Sequence, residues 1–375
     1  MSHNRRVFLS ASAAAAVVGA NDRIRIAGIG TGGRCRYLLS VAVKEPHTEL
    51  VAVADVYEPR RAEIRKFAPA AQEYVDYRRL LERKDIDAVF VGSPDHWHVP
   101  MAVDAVRAGK DVYVEKPLTK TIAEGPLIEK AVAETGRVLQ AGYQQRSWPH
   151  FMAAREHMPK LGKVTLVMSS WYQNYRRLTP AQAKVDAAKL DWKRWLGNAP
   201  AQPLDPFKYY RWRWFWDFGG GHLTDLHSHY GDVIHWYMNA YQPESAKSMG
   251  GRYMLEHLEC PDTITTAWRY RGFQVVYNGT LVCTMEGGNI IFRGTDAMMR
   301  INRDGFAIYP EGKVPPEKTH LPEPVVAMRS EHDGTIDHVR NFLECVRSRR
   351  TPNAPVAEAV AAAAAAHMGN AALKA

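Results

Sequence analysis

Cysteine is scarce: the 375 residues hold four, at Cys35, Cys260, Cys283 and Cys345. None stands in a Cys-x-x-Cys pair, so neither a zinc site nor a disulfide framework is readable, and no metal is expected. Long apolar runs are missing too. No stretch reaches the roughly 18 residues that a spanning helix needs, so no segment reads as one. There are no internal repeats, and the one low-complexity tract, the Ala run at 359–366, is a strong helix former. Acidic residues are in the minority, 40 Asp and Glu against 49 Lys and Arg, giving a formal net charge of +9. The cations are scattered and form no stripe, which argues against nucleic acid as a partner. A mildly basic groove for anionic cofactor phosphates suits that balance better. What remains is an ordinary globular composition, 46% hydrophobic and 24% charged, in a chain long enough for two domains.

Residues 1–20 place Asn4-Arg5-Arg6-Val7-Phe8-Leu9 ahead of an Ala-rich run ending Val18-Gly19-Ala20. Paired arginines before a short, weakly apolar segment resemble a twin-arginine signal, so export to the periplasm is expected. A first strand beginning at Ile24 would start almost directly after a cut at Ala20. A retained N-terminal arm is therefore the alternative.

From Ile24 the chain alternates short β-rich runs with helical stretches. The runs are Arg23–Gly30, Leu50–Ala54, Ile86–Val91, Asp111–Val114 and Val138–Ala141. That rhythm predicts a doubly wound parallel sheet over residues 22–145, an α/β Rossmann domain. Beyond Gly142, strand-like stretches at Val164–Trp171, Thr263–Tyr270, Gln274–Gly279 and Ala297–Ile301 follow one another with few helices. They predict an α+β domain with a largely antiparallel open sheet over 146–375, closed by helices at 332–349 and 356–374. The Pro-, Lys- and Trp-rich stretch Leu178–Tyr210 reads as a long surface excursion.

Gly28-Ile29-Gly30-Thr31-Gly32-Gly33 fits Gly-x-Gly-x-x-Gly between a strand and a helix. The expected roles are a tight turn at Gly28, close pyrophosphate approach at Gly30 and helix–strand packing at Gly33. Asp55 ends the next strand, where its carboxylate can accept from both ribose hydroxyls and would repel a 2′-phosphate. NAD is thus the expected cofactor, with NADP as the alternative because Arg60 and Arg61 lie close behind.

Ser93-Pro94-Asp95-His96-Trp97-His98, Glu115-Lys116-Pro117, and the Gly219-Gly220-Gly221 run followed by Asp225 and His229 together resemble the Gfo/Idh/MocA oxidoreductase family. An acid, Asp95, stands where that family usually has Asn. The resemblance implies that Gly28, Gly30, Thr31, Gly32, Gly33, Asp55, Arg60, Ser93, Pro94, His98, Glu115 and Lys116 form the cofactor site. It implies that Lys116, Asp225 and His229 meet at the nicotinamide, that the substrate is a carbohydrate, and that the second domain's open sheet joins copies into a dimer or tetramer.

The residues make chemical sense by themselves. Asp225 and His229 are four apart, so a helix would put them on one face, with the carboxylate orienting the imidazole as proton acceptor. Lys116 at a strand's carboxyl end can stabilise a developing alkoxide. His222, Asp225 and His229 fall on one helical face, too few ligands for a metal site. Trp212, Trp214 and Trp216 would share a face if extended, and Trp214, His222, Tyr143, Arg146 and Tyr172 are candidates for the sugar rim. Three functions are compatible with this set. The first is a sugar oxidoreductase that holds NAD tightly and recycles it. The second is a redox-neutral NAD-dependent glycosidase, and the third a non-catalytic NAD- or sugar-binding sensor.

Overall fold

A computed structural model describes residues 23–312 and 321–375. The paired arginines at 5 and 6 lie outside the described residues. Among those residues, no helix is long and apolar enough to cross a membrane.

The first sheet has six parallel strands, β1 (Ile24–Ile29), β2 (Thr48–Ala54), β3 (Gln72–Tyr74), β4 (Ala88–Val91), β5 (Asp111–Val114) and β6 (Leu139–Ala141), in the order β3-β2-β1-β4-β5-β6. This is the doubly wound order, which reverses between β1 and β4 and so opens a crevice at the carboxyl ends of those two strands. Strands β4, β5 and β6 and most of β1 are buried on both faces, which is why they read as continuous apolar runs. On one face Ile29, Val89 and Val112 pack under α3 (Tyr77–Leu81), α4 (Asp95–Arg107) and α5 (Gly125–Thr135). On the other, Ile26, Phe90 and Tyr113 meet Leu38 of α1 (Gly33–Ala42) and Ile64 of α2 (Glu58–Arg65). Two differences from the sequence reading stand out. Strand β3 has three residues and little apolar character, too short to be read from alternation. Helix α4 starts at Asp95, five residues before Pro100, where the sequence pattern predicts a helix over 100–108.

The second sheet has eight strands. They are β7 (Leu166–Tyr172), β8 (Ser245–Gly251), β9 (Thr263–Tyr270), β10 (Phe273–Thr280), β11 (Gly288–Arg293), β12 (Ala297–Asn302), β13 (Gly305–Pro310) and β14 (Val326–Arg329). Their order is β14-β13-β12-β11-β7-β10-β9-β8, and every pairing is antiparallel except β7 with β10. Along β9 half-buried and buried residues alternate at first, as a sheet packed on one face requires. The packed face carries Val167, Trp268, Tyr277 and Phe292 against Phe151 of α6 (Pro149–Glu156) and against Tyr230 and Ile234 of α9 (Ser228–Met238).

The C-terminal helices do not stay with the second sheet. Val339, Phe342 and Leu343 of α10 (Thr335–Ser348) complete the core over β1 and β4. Helix α11 (Val356–Lys374) sets Ala359 and Ala362 in the first domain's core and Ala366 in the second's. The linear boundary at 146 therefore differs from the packing. An amphipathic helix seeks whichever apolar face is open, and sequence position does not say which.

Candidate functional site

The glycine loop leaves β1 at the crevice and opens α1. Gly30 has φ +74°, and a Cβ there would sit 2.8 Å from the backbone of Ser93, so the turn and the close approach both belong to Gly30. Gly28 is the packing glycine, because its Cβ would lie 2.5 Å from Leu39 Cδ1. The roles expected for Gly28 and Gly33 are thus corrected: at Gly32 and Gly33 a Cβ would meet no protein atom within 4 Å. Both line a cleft of about 1010 Å³, and their missing side chains leave that space to a ligand at a helix N-terminus. These residues fit a dinucleotide. Gly30→Ala is expected to cost ~1–3 kcal/mol of backbone strain. Isothermal titration should show NAD binding weakened at least tenfold, and unchanged affinity would contradict this account of the loop.

Asp55, Arg60, Ser93 and Pro94 line the same cleft. Asp55 follows β2; its Oδ1 accepts from Tyr57 N at 2.9 Å and its Oδ2 from Thr31 Oγ1 at 3.3 Å. Burial pushes its carboxyl above the usual range, against these hydrogen bonds and Arg60. Arg61 is tied up by the Asp55 carbonyl, to which its Nη1 donates at 2.5 Å, and by Glu73, whereas Arg60 lies over the Tyr210 ring at 5.7 Å. The opposite wall is the stretch expected as a surface excursion. Leu178, Thr179, Trp195, Tyr209 and Arg213 face the cleft, and Trp195, Tyr209 and Phe218 pack into an aromatic cluster. This cluster, with α7 (Trp192–Leu196) and α8 (Pro206–Arg211), explains why so many aromatics sit there.

Thr31, His98 and Glu115 stand behind the cleft wall. The His98 nitrogens lie 2.7 Å from the Pro117 carbonyl and 2.9 Å from that of Ser93, linking the turn after β4 to the turn after β5. Glu115 accepts from Arg34 Nε at 2.7 Å, which ties α1 to the end of β5.

At the carboxyl edge of β5, Lys116 Nζ donates to Asp225 Oδ1 at 2.8 Å and to the Asp225 carbonyl at 2.5 Å. Arg213 Nε donates to the same Oδ1 at 2.9 Å. Burial alone would push Asp225 up, but the two cations hold its carboxyl below the usual range. Asp225 lies in a wide π-helical turn, Leu223–His227, ahead of α9. This corrects the expected pairing on one α-helical face: no hydrogen bond joins Asp225 to His229 among the described residues, and the carboxylate serves Lys116 instead. His229 is oriented by stacking on Trp171, with centroids 5.5 Å apart and planes at 22°. Its Nδ1 is buried without a partner among the described residues. Burial first, then Lys116, Arg303, Arg34 and Arg213, hold the imidazole well below its ordinary range, so it is neutral and free to accept a proton.

The rim candidates fare differently. Arg146 is buried and bonded to Asp232 and Glu358. His222 is buried between Tyr277 Oη and the Asp262 carbonyl, both at 3.1 Å, and burial pushes it down to about 4. Trp214 is buried against His222 and Tyr175. These three are core residues, because each finds its partners inside the fold. Tyr143 is fully buried, and Tyr172 ends β7 half-buried while its neighbour Trp171 makes the contact with His229. Trp212–Trp214 form a helical turn, so Trp212, Trp214 and Trp216 do not share a face; Trp216 instead meets Lys374 at 3.8 Å. His227 stacks on Trp268 and His222 binds elsewhere, so no metal-ligand group of three or more forms among the described residues.

Sequence reasoning passed over Arg213, Trp171 and Arg303. It noted Asp95 only as a departure from the family pattern. Asp95 is 2% exposed, and burial pushes it up to about 8, with Arg213 and Lys116 pulling down and Asp225 pushing further up.

Two family models match the chain: the oxidoreductase family's NAD-binding Rossmann fold over residues 23–143, and its C-terminal alpha/beta domain over 184–374. Among curated relatives, the dTDP-3,4-didehydro-2,6-dideoxy-alpha-D-glucose 3-reductase of Streptomyces violaceoruber is 38% identical over 130 residues, 33% of this chain and 37% of that one. Inositol 2-dehydrogenase 1 of Saccharopolyspora erythraea is 31% identical over 183 residues, 46% of this chain and 54% of that one. The chain thus matches only about a third to a half of these relatives' lengths. A solved levoglucosan dehydrogenase, in complex with NADH and levoglucosan, superposes with TM-score 0.74 at 15% identity, covering 94% of this chain and 97% of that one.

Proposed function

The chain belongs to the Gfo/Idh/MocA oxidoreductase family, and on that footing we propose that it acts on a hydroxyl of a sugar or sugar derivative, with NAD held tightly and restored in each cycle. The observation that carries this reading is the meeting of Lys116, Asp225 and His229 at the carboxyl edge of the first sheet. Bound NAD supplies the hydride acceptor. Asp225 holds the Lys116 ammonium in place, so it can donate to the reacting oxygen and stabilise negative charge there. Neutral His229, fixed by Trp171, takes the hydroxyl proton.

Tight retention is supported by the second wall of the cleft, where residues 178–213 cover the ground facing the glycine loop. Export directed by Arg5-Arg6 gives the retention a purpose, since free NAD is scarce outside the cytoplasm. Assembly of copies is supported by Met168, Val276 and Ile291, which neighbour one another in register and are half-buried on the sheet face away from the core.

Protein purified without added nucleotide should contain bound NAD(H), released on denaturation and quantified by absorbance. Sugar conversion should then proceed with no external cofactor and no net NADH. A second reduced sugar among the products would mean exchange between two sugars, and a cleaved glycoside would mean elimination after transient oxidation. Cofactor-free protein that needs added NAD and releases NADH in step with product would disprove recycling and leave an ordinary dehydrogenase.

A further inference from the structure

Arg303 stands in the hairpin between β12 and β13, its guanidinium 4.9 Å from the centroid of the Trp171 ring that stacks on His229. The hairpin is well anchored. His150 Nε2 meets the Asn302 carbonyl at 2.8 Å, Asp304 N donates to Asn302 Oδ1 at 2.9 Å, and Ser330 N to the Asp304 carbonyl at 2.8 Å. Yet Arg303 has no carboxylate partner among the described residues, and its Nε is buried with no acceptor. The neighbouring cations each have a carboxylate contact: Lys116 and Arg213 share Asp225, and Arg34 pairs with Glu115. Arg303 is half-buried, a guanidinium partly withdrawn from water with no anion is costly, and a buried orphaned donor points to a missing acceptor. Burial holds Arg303 below the usual arginine range, the cost of that isolation. The cofactor's phosphates do not fill the gap, because the cleft that the glycine loop lines does not include Arg303.

We propose that Arg303 selects sugars carrying an anionic substituent, a carboxylate above all, by pairing with it one ring away from His229. The planar fork of arginine matches a carboxylate through two parallel hydrogen bonds. The proposal rests on the reading of Lys116 and His229 as the reacting centre and names the substrate class that centre takes: acidic sugars.

The test is binding, measured apart from turnover. The full chain loaded with NAD is titrated calorimetrically with D-glucuronate, D-glucose 6-phosphate and D-glucose, as wild type, R303Q and R303K. Glucuronate should bind wild type at least about tenfold tighter than glucose. R303Q should lose roughly 10- to 100-fold for glucuronate with glucose binding and NAD content unchanged, and R303K should keep part of the preference. Glucose 6-phosphate outranking glucuronate would assign phosphate as the anion Arg303 reads. Equal binding of all three sugars, no binding of either acid, or a preference that survives in R303Q would overturn the proposal. An acidic sugar that binds through Arg303 but is never oxidised would support it and remove the redox reading instead.

Discussion

Replacing His229 by alanine, or Lys116 by alanine, is expected to slow hydride transfer by about 10²–10⁴-fold while leaving NAD content and melting temperature close to wild type. In the proposed reaction His229 takes the substrate's proton and Lys116 donates to its oxygen, and neither lines the dinucleotide cleft. In Lys116→Ala the Asp225 carboxylate keeps Arg213 as counter-ion, so no buried charge is stranded. In His229→Ala the imidazole leaves no broken hydrogen bond, since it makes none among the described residues. Single-turnover measurement of nicotinamide absorbance, with sugar in excess, reads the chemical step directly. Turnover within about tenfold of wild type in both variants would remove these residues from the reacting centre.

The same site fixes a pH profile. Burial and four nearby cations favour the neutral form of His229, so its folded pKa lies below the ordinary histidine value. The acid limb of kcat/KM should therefore fall below the pH at which an ordinary histidine titrates. Lys116→Gln removes one of those cations, so the residual activity should show its acid limb moved upward. An acid limb at the ordinary histidine pH in wild type would show that this imidazole is not the proton acceptor.

The parallel sheet was legible because every strand but β3 is a short apolar run that stops at a polar residue or glycine at the crevice. Lys116 stood out for the same reason, whereas Asp225 and His229 were picked out by their four-residue spacing and by the family resemblance. What the sequence did not disclose is who pairs with whom. Asp225 and His229 lie four residues apart and invite a pair, but the π-turn and a lysine 109 residues away in sequence claim the carboxylate. Trp171 looks like any strand aromatic until α9 brings His229 over it. Arg303 sits in Asn302-Arg303-Asp304-Gly305, a stretch that reads only as a turn. Residues 178–210 misled in the other direction: Pro and Lys suggest solvent, while Trp195 and Tyr209 find a shared cluster that no local pattern announces. Long-range pairing decides function here, and periodicity carries none of it.

Arg146 shows how that distinction is measured. An arginine just after β6, near the crevice, looks like a substrate ligand, but its Nε donates to both Asp232 oxygens, at 2.9 and 2.8 Å, and its Nη1 to Glu358. The residue thereby joins the turn after β6 to α9 and α11, with the ion pair to Asp232 almost fully buried. Burial outweighs Arg146 at Asp232 and holds that carboxyl above the usual range. Arg146→Met would leave Asp232 enclosed with no counter-ion, a loss of about 3–5 kcal/mol in unfolding free energy. Without the guanidinium the Asp232 pKa rises further above its unfolded value, so stability is retained when the carboxyl is protonated and lost as pH climbs through the folded pKa. The deficit in urea unfolding should therefore be smaller at acidic than at neutral pH. Removing both charges, in Arg146→Met with Asp232→Leu, should recover part of the loss, because the penalty lies in the stranded carboxylate. Unchanged stability in Arg146→Met, together with weakened sugar binding, would return Arg146 to the substrate rim.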